Sequence, residues 1–199
     1  PALRGVESRF RAAKTAVEAA LSARVRSRET AVWQTLAAKE RLCEELDSLV
    51  RSNPDTAAVA AQSAAAQERW AALPALPAAW ESKVTARRDA ALNALSDAAA
   101  GGDYLARVER GVESRRESVL ELELLLGLDS PAEFQAQRLA LQLKQLRERF
   151  KGAAAIGADA AGERLVAWCA QPGVADAGDR QRCEKIFTAA GKAGGRATH

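Results

Sequence analysis

A chain of 199 residues, with 29 basic and 26 acidic side chains and a formal net charge of +3, is long enough for one sizeable core or two modest ones. Its charge is too evenly balanced to declare a polyanionic partner by composition. Alanine, leucine, glutamate, arginine and glutamine dominate, isoleucine is nearly absent, and no stretch alternates with the period of a strand. The predicted class is therefore all-α, with long antiparallel helices in repeated hairpin-like units, an elongated bundle of coiled-coil character.

Residues 6–51 contain neither Gly nor Pro. Phe10, Ala13, Val17, Leu21 and Val25 form one apolar stripe, and Trp33, Leu36, Cys43, Leu46 and Val50 form another at similar spacing. The polar segment 22–30 between them lacks a strong breaker, so one long, bent helix is expected. Asn53-Pro54-Asp55 then opens a helix that ends near Leu73, where Leu73-Pro74-Ala75-Leu76-Pro77 cannot continue it. A new helix starts at about Pro77 and passes Leu95. Gly101-Gly102 is expected to be a kink or short loop, with helix resuming at Asp103.

The stretch from Val112 to Phe150 reads as two helices joined by a sharp turn. In the first, Val108, Val112, Val119, Leu122 and Leu126 make a seam interrupted only by Arg115, while Leu120, Leu124, Leu125 and Leu128 add a second apolar face. Ser130-Pro131-Ala132-Glu133 has the pattern of a capping box with Pro at the first helical position. The helix it opens carries Leu139, Leu143, Leu146 and Phe150 down one stripe. Residues 151–162 read as a small-residue linker, followed by a short helix at about 163–169 that ends at Pro172-Gly173. A last helix at about 176–190 precedes a tail, 191–199, expected to be disordered. The large anchors of the shallow interior are expected to be Phe10, Trp33, Trp70, Trp80, Phe134, Phe150, Trp168 and Phe187.

The chain also repeats itself. Val6-Glu7-Ser8-Arg9-Phe10-x-Ala12 aligns with Trp80-Glu81-Ser82-Lys83-Val84-x-Ala86, the segment from Cys43 to Leu49 aligns with Val119 to Leu125, and Asn53-Pro54 aligns with Ser130-Pro131, each landmark falling about 75 residues after its partner. A partial third unit follows through Trp168 to Pro172 and Lys185-Ile186-Phe187-x-Ala189. This divides the chain into a first unit at 1–77, a second at 78–151 and a partial third at 152–190. The sequence that carries these units, LCEELDSL, ERWAALPALPAAWESK and LELELLLGLDSPAEFQAQRLALQLKQL, resembles the bacterial family catalogued as domain of unknown function 349. The resemblance extends over most of residues 6–190, with Lys83-Val84 where Arg-Phe is usual. It implies a helical fold in strings of such units, and no catalytic residue, substrate or cofactor.

Little in the chain is suited to making or breaking bonds. The single histidine, His199, stands at the end of the tail, where a catalytic base or metal ligand would have no held geometry. Glu44, Glu45, Asp47, Glu121 and Glu123 flank apolar seams, where carboxylates are ordinarily solvated or paired with Arg one turn away. Cys43, Cys169 and Cys183 have no CxxC spacing and no histidine near them in sequence. No metal site, cofactor or nucleophile is expected, and a reducing cytoplasm is the default compartment. Tryptophans on helix stripes read as core anchors rather than base-stacking platforms. No apolar run approaches the roughly 18–20 residues of a membrane span. The absence of Met, even at position 1, reads as a piece of a longer protein.

Arginine is the exception to this quiet chemistry. Arg24, Arg26, Arg28, Arg87, Arg88, Arg107, Arg110, Arg115 and Arg116 form local clusters that could meet the phosphates of RNA or DNA, Arg147, Arg149 and Lys151 form a further cluster, and Glu29, Glu109, Glu113, Glu117 and Glu148 interleave with them. The expectation is a non-enzymatic helical scaffold for an unknown protein partner, with a homodimer through the long helices open to it. Nucleic-acid binding through the arginines is the alternative.

Overall fold

A computed structural model describes residues 2–52, 55–150 and 158–193, and among these the regular structure is helical throughout. The elements are α1 (Ala2–Ser52), α2 (Thr56–Ala71), α3 (Ala78–Ser96), α4 (Ala98–Leu125), a 3-10 turn (Ala132–Phe134), α5 (Gln135–Phe150), α6 (Ala158–Cys169) and α7 (Ala177–Ala193). The all-α reading holds, and α1 runs unbroken through the polar 22–30 segment for 51 residues, about 75 Å at 1.5 Å per residue.

Local chemistry sets several of the boundaries. Asp55 caps α2 by accepting the Ala58 amide at 2.8 Å; its expected companions Asn53 and Pro54 lie outside the described residues. Pro74 and Pro77 separate α2 from α3. At the end of α4, Gly127 adopts φ +67°, with Leu128 N–H bonded to the Glu123 carbonyl at 2.8 Å and Gly127 N–H to Leu124 at 3.3 Å. That is a Schellman stop, and Leu128 completes it by packing on the core.

The ion pairs show how the helices run. Lys39, Cys43 and Asp47 of α1 meet Glu81, Val84 and Arg87 of α3 in ascending order, so these two helices are parallel. α4 opposes α1, with Tyr104 at Asp47 and Arg115 at Glu40. α7 opposes it as well, with Arg180 at Glu44 and Gly191 at Thr30. One apolar cluster draws Leu36 and Cys43 from α1, Trp70 from α2, Val84 from α3, Val119 and Leu122 from α4, Leu165 and Trp168 from α6, and Ile186 and Phe187 from α7. The three sequence units thus share one interior.

Five local expectations are corrected. The chain reverses at Asp97, in extended conformation at φ −125° and ψ 111°, and not at Gly101-Gly102, which are helical. Gly101 instead lets the two arms of the hairpin close, since a Cβ there would lie 3.1 Å from the Ala94 carbonyl. Ser130 does not cap α5; its hydroxyl donates to Glu123 at 2.6 Å and accepts from Arg138 at 2.7 Å, and a 3-10 turn precedes the helix. α6 begins at Ala158, inside the expected linker, whose residues 151–157 lie outside the described ones. α7 reaches Ala193, into the expected tail; residues 194–199 are not described. Finally, Phe10 and Phe150 are no anchors: they are 70% and 89% exposed.

Two glycines of α4 have opposite expected responses to a methyl group. A Cβ on Gly111 would overlap the Pro172 carbonyl, where the α6–α7 connector crosses the helix, whereas one on Gly102 meets nothing within 4 Å. Gly111→Ala should lose about 1–3 kcal/mol or more through overpacking. Gly102→Ala should gain up to about 1 kcal/mol. Thermal and urea unfolding of the two variants measure both.

Candidate functional site

The centre of the molecule is charged. Buried Asp47 accepts from Arg87 Nε and Nη2 at 3.1 and 2.8 Å, from the Tyr104 hydroxyl at 2.7 Å and from the Gly173 amide at 2.7 Å. Arg87 also donates to the Cys169 and Gly173 carbonyls at 2.7 and 3.2 Å. Glu40 stands between Arg87 and Arg115, at 3.5 and 2.5 Å. Arg115 sits over the Trp168 indole, 3.8 Å from its centroid, and donates to the Trp168 and Gln171 carbonyls. Two arginines and two carboxylates balance, and their remaining donors hold the connector between α6 and α7. Burial works to lower the Arg87 pKa, but Asp47 and Glu40 hold it above the ordinary value. Burial first, and then Asp47, pushes the Tyr104 hydroxyl upward.

Two further buried groups extend this arrangement. Arg182 donates to both Glu123 oxygens, at 2.7 and 2.9 Å, and to Asp179 at 2.8 Å, with its guanidinium over the Phe134 ring. Lys39, 2% exposed, meets Glu81 at 2.5 Å beside the Trp70 ring. Burial by itself would raise the Glu81 pKa, but bonds from Lys39 and the Leu76 amide outweigh it and hold the carboxyl low.

These contacts revise the reading of the acids. Glu44, Asp47 and Glu123 are buried and pair across helices, not with an arginine one turn away. They also sort the nine arginines. Arg87 and Arg115, each 3% exposed, are enclosed by the protein's own carboxylates and carbonyls and are withdrawn from any phosphate outside it. Arg116 is engaged by Asp176 and Asp179. Arg88 lies over Trp70 and bonds Asp89, Arg107 lies over the Tyr104 ring, and Arg110 donates to the Ala106 carbonyl. Arg24, Arg26 and Arg28 face solvent on the outer half of α1. Sequence reading missed the pairing roles of Glu40, Glu81, Asp179 and Arg182. The available signal was a charge set inside an apolar seam, as Arg115 is between Val112 and Val119.

The three thiols are buried and free. Burial pushes Cys43 up to about 12 and raises Cys169 and Cys183 as well. An open cleft of about 530 Å³ between α4 and α7 is lined by Arg116, Glu123, Ser130, Phe134, Asp179 and Arg182, whose charges are already bonded to one another. His199 lies outside the described residues.

Two helices also present apolar side chains outward. The large apolar side chains exposed among the described residues fall on two helices: Phe10, Val17, Leu21 and Val25 on α1, and Leu139, Leu143, Leu146 and Phe150 on α5. α5 turns back along α4 with Arg138, Leu141 and Gln145 half-buried on its inner side, so its most regular leucine stripe points away from the body. The residues of α1 from Glu7 to Arg28 are exposed almost throughout, an arm of about 33 Å. Neither stripe has a covering element among the described residues, and no described helix is long and apolar enough to cross a membrane.

Residues 5–79 match the family model described as Domain of Unknown Function (DUF349), which spans α1, α2 and the connector into α3. No curated protein and no solved structure matches the chain.

Removing one partner of a buried ion pair leaves the other charge stranded. Asp47→Ala should therefore lose about 3–5 kcal/mol, against less than about 1 kcal/mol for Glu45→Ala, whose partner Arg69 is exposed. Urea denaturation separates the two. The thiols give a pH dependence with a definite sign. Between about pH 9 and about 12 an unfolded Cys43 has lost its proton while the folded one keeps it, so the unfolded state binds fewer protons and stability falls as pH rises. The expected slope is up to ~1.4 kcal/mol per pH unit for each such thiol. Denaturation midpoints at pH 8 and pH 10 should show it, and Cys43→Ala should reduce it by one thiol's share, leaving those of Cys169 and Cys183.

Proposed function

We propose that this chain, whose residues 5–79 match the family model described as Domain of Unknown Function (DUF349), is a non-enzymatic helical scaffold that offers bare helix faces to protein partners. The observation that carries this reading is the division of labour among side chains. Charged groups that could do chemistry are tied to one another inside the molecule, while leucine, valine and phenylalanine stand outside on two helix stripes. Exposed contiguous apolar surface on a folded domain marks an interaction site. The stripe on α5 has the four-three-four spacing with which helices seat against other helices.

A second reading has its own observation. Arg9, Arg11, Lys14, Arg24, Arg26 and Arg28 are all exposed on the α1 arm, against only Glu7 and Glu18 among its acids in that span. Such an arm could track a nucleic-acid backbone.

Affinity capture with and without nuclease distinguishes the two. The scaffold reading expects nuclease-resistant partners that are lost from Val17→Glu and Leu143→Glu variants. It fails if everything captured disappears with nuclease. The nucleic-acid reading expects binding to generic RNA that drops steeply between roughly 50 and 200 mM salt and is abolished by Arg24→Glu, Arg26→Glu and Arg28→Glu together. Salt-independent binding, or none at low salt, removes it.

A further inference from the structure

The two bare stripes correspond in a way that names an occupant for each. The α1 arm repeats α3 position for position: Phe10, Ala13, Val17 and Ala20 occupy the places of Val84, Arg87, Ala91 and Ala94. In α3 that face is the buried one, closed in by α1 and α4. On the arm the same face carries a larger apolar group at two of the four places and has nothing over it. A face of this type is built to receive helices. The stripe of α5 is the other helix face in this chain left bare among the described residues, and it matches the arm in length. Phe10 to Leu21 and Leu139 to Phe150 each span three turns, about 16 Å.

We infer that the arm of one copy lies antiparallel on α5 of a second copy, and the partner's arm on α5 of the first, giving a symmetric dimer. The inference rests on the scaffold reading and specifies what covers its surfaces. In this register Phe10 meets Phe150, Val17 meets Leu143, Leu21 meets Leu139, and Leu146 covers Ala13. Charge selects this pairing over arm on arm. The arm carries Arg9, Arg11, Lys14 and Arg24 beside its stripe, and a second arm would set the same cations against them. The α5 stripe is flanked by Gln135, Ala140 and Gln142, with Arg147 on one side and Arg149 on the other, half the four cations that a second arm would bring. Two-fold symmetry forms the contact twice and closes it, so no stripe remains to propagate a filament. Sixteen apolar side chains, at ~60–120 Å² each, bring roughly 1,000–1,900 Å² to the contact, most of which falls within the roughly 1,200–2,000 Å² that specific dimers bury.

Sedimentation velocity of the full chain tests association, and mixed cross-linking tests the register. The expected result is a dimer whose dissociation constant rises roughly 100-fold or more in Leu143→Glu and, independently, in Val17→Glu. Circular dichroism should be unchanged in both, as should unfolding at concentrations where parent and variants are all monomeric, because these side chains are exposed in the single chain. The native thiols are buried, so Phe10→Cys and Phe150→Cys supply the reactive ones. Mixing the two single variants under mild oxidation should yield a disulfide dimer well in excess of either variant alone. A chain monomeric at about 100 µM overturns the inference, as does a dimer indifferent to Leu143→Glu. Cross-linking as strong within one variant as in the mixture also overturns it, since it denotes arm on arm or α5 on α5. A monomer that still captures nuclease-resistant partners defeats this dimer and leaves the scaffold reading standing.

Discussion

The contact on which the rest of the structure depends is the buried pairing of Arg87 with Asp47, joined through Glu40 to Arg115. Moving ions out of water is costly, and the cost is offset only where geometry and further hydrogen bonds satisfy each group. Here the Tyr104 hydroxyl, the Gly173 amide and the carbonyls of Trp168, Cys169, Gln171 and Gly173 supply most of those bonds, and Arg115 Nε is left without one. The connector between α6 and α7 is thereby bound to α1, α3 and α4 at once. Gly111 and Gly173 make the approach possible. A side chain at Gly111 would strike Pro172, and Gly173 adopts φ +154° with the Arg115 chain 2.6 Å from where its Cβ would be.

This arrangement explains why a chain with a repetitive sequence forms one interior. An alanine-rich bundle has little large apolar volume to specify which helix lies beside which. Charges that must find partners do specify it. Asp47 accepts Arg87 and Glu81 accepts Lys39, which fixes the register of α3 on α1 at two places, and Glu123 accepts Arg182, which binds α4 to α7. The stretch that matches the family model, residues 5–79, contributes Lys39, Glu40, Cys43, Asp47 and Trp70 to this interior. Most of their partners come from later in the chain.

The same repetition accounts for the bare surfaces. Where the second unit reverses at Asp97 and buries α3 beneath α1 and α4, the first unit continues as one rod. Two copies of one pattern thus have different neighbours, and the face buried in one is presented in the other. α5 is bare for a different reason. Its inner face is Phe134, Arg138 and Leu141, tied to the body through Ser130 and Arg182, and its leucine stripe lies on the opposite side.

Sequence by itself determined the helices and many of their ends, because these are set within a few residues. Asp55 and Pro74 with Pro77 act through a cap and missing donors, and both were legible. Periodicity also located the stripes, but it reports that a face is apolar and not what covers it. Phe10 and Phe150 therefore read as anchors and stand in solvent, while Arg87 and Arg115 read as surface and lie inside. The partners of Asp47 are 40, 57 and 126 positions away, beyond the reach of any local rule. Only the tertiary structure could decide them, because a buried charge is stable just where packing brings its counterion and its hydrogen bonds together.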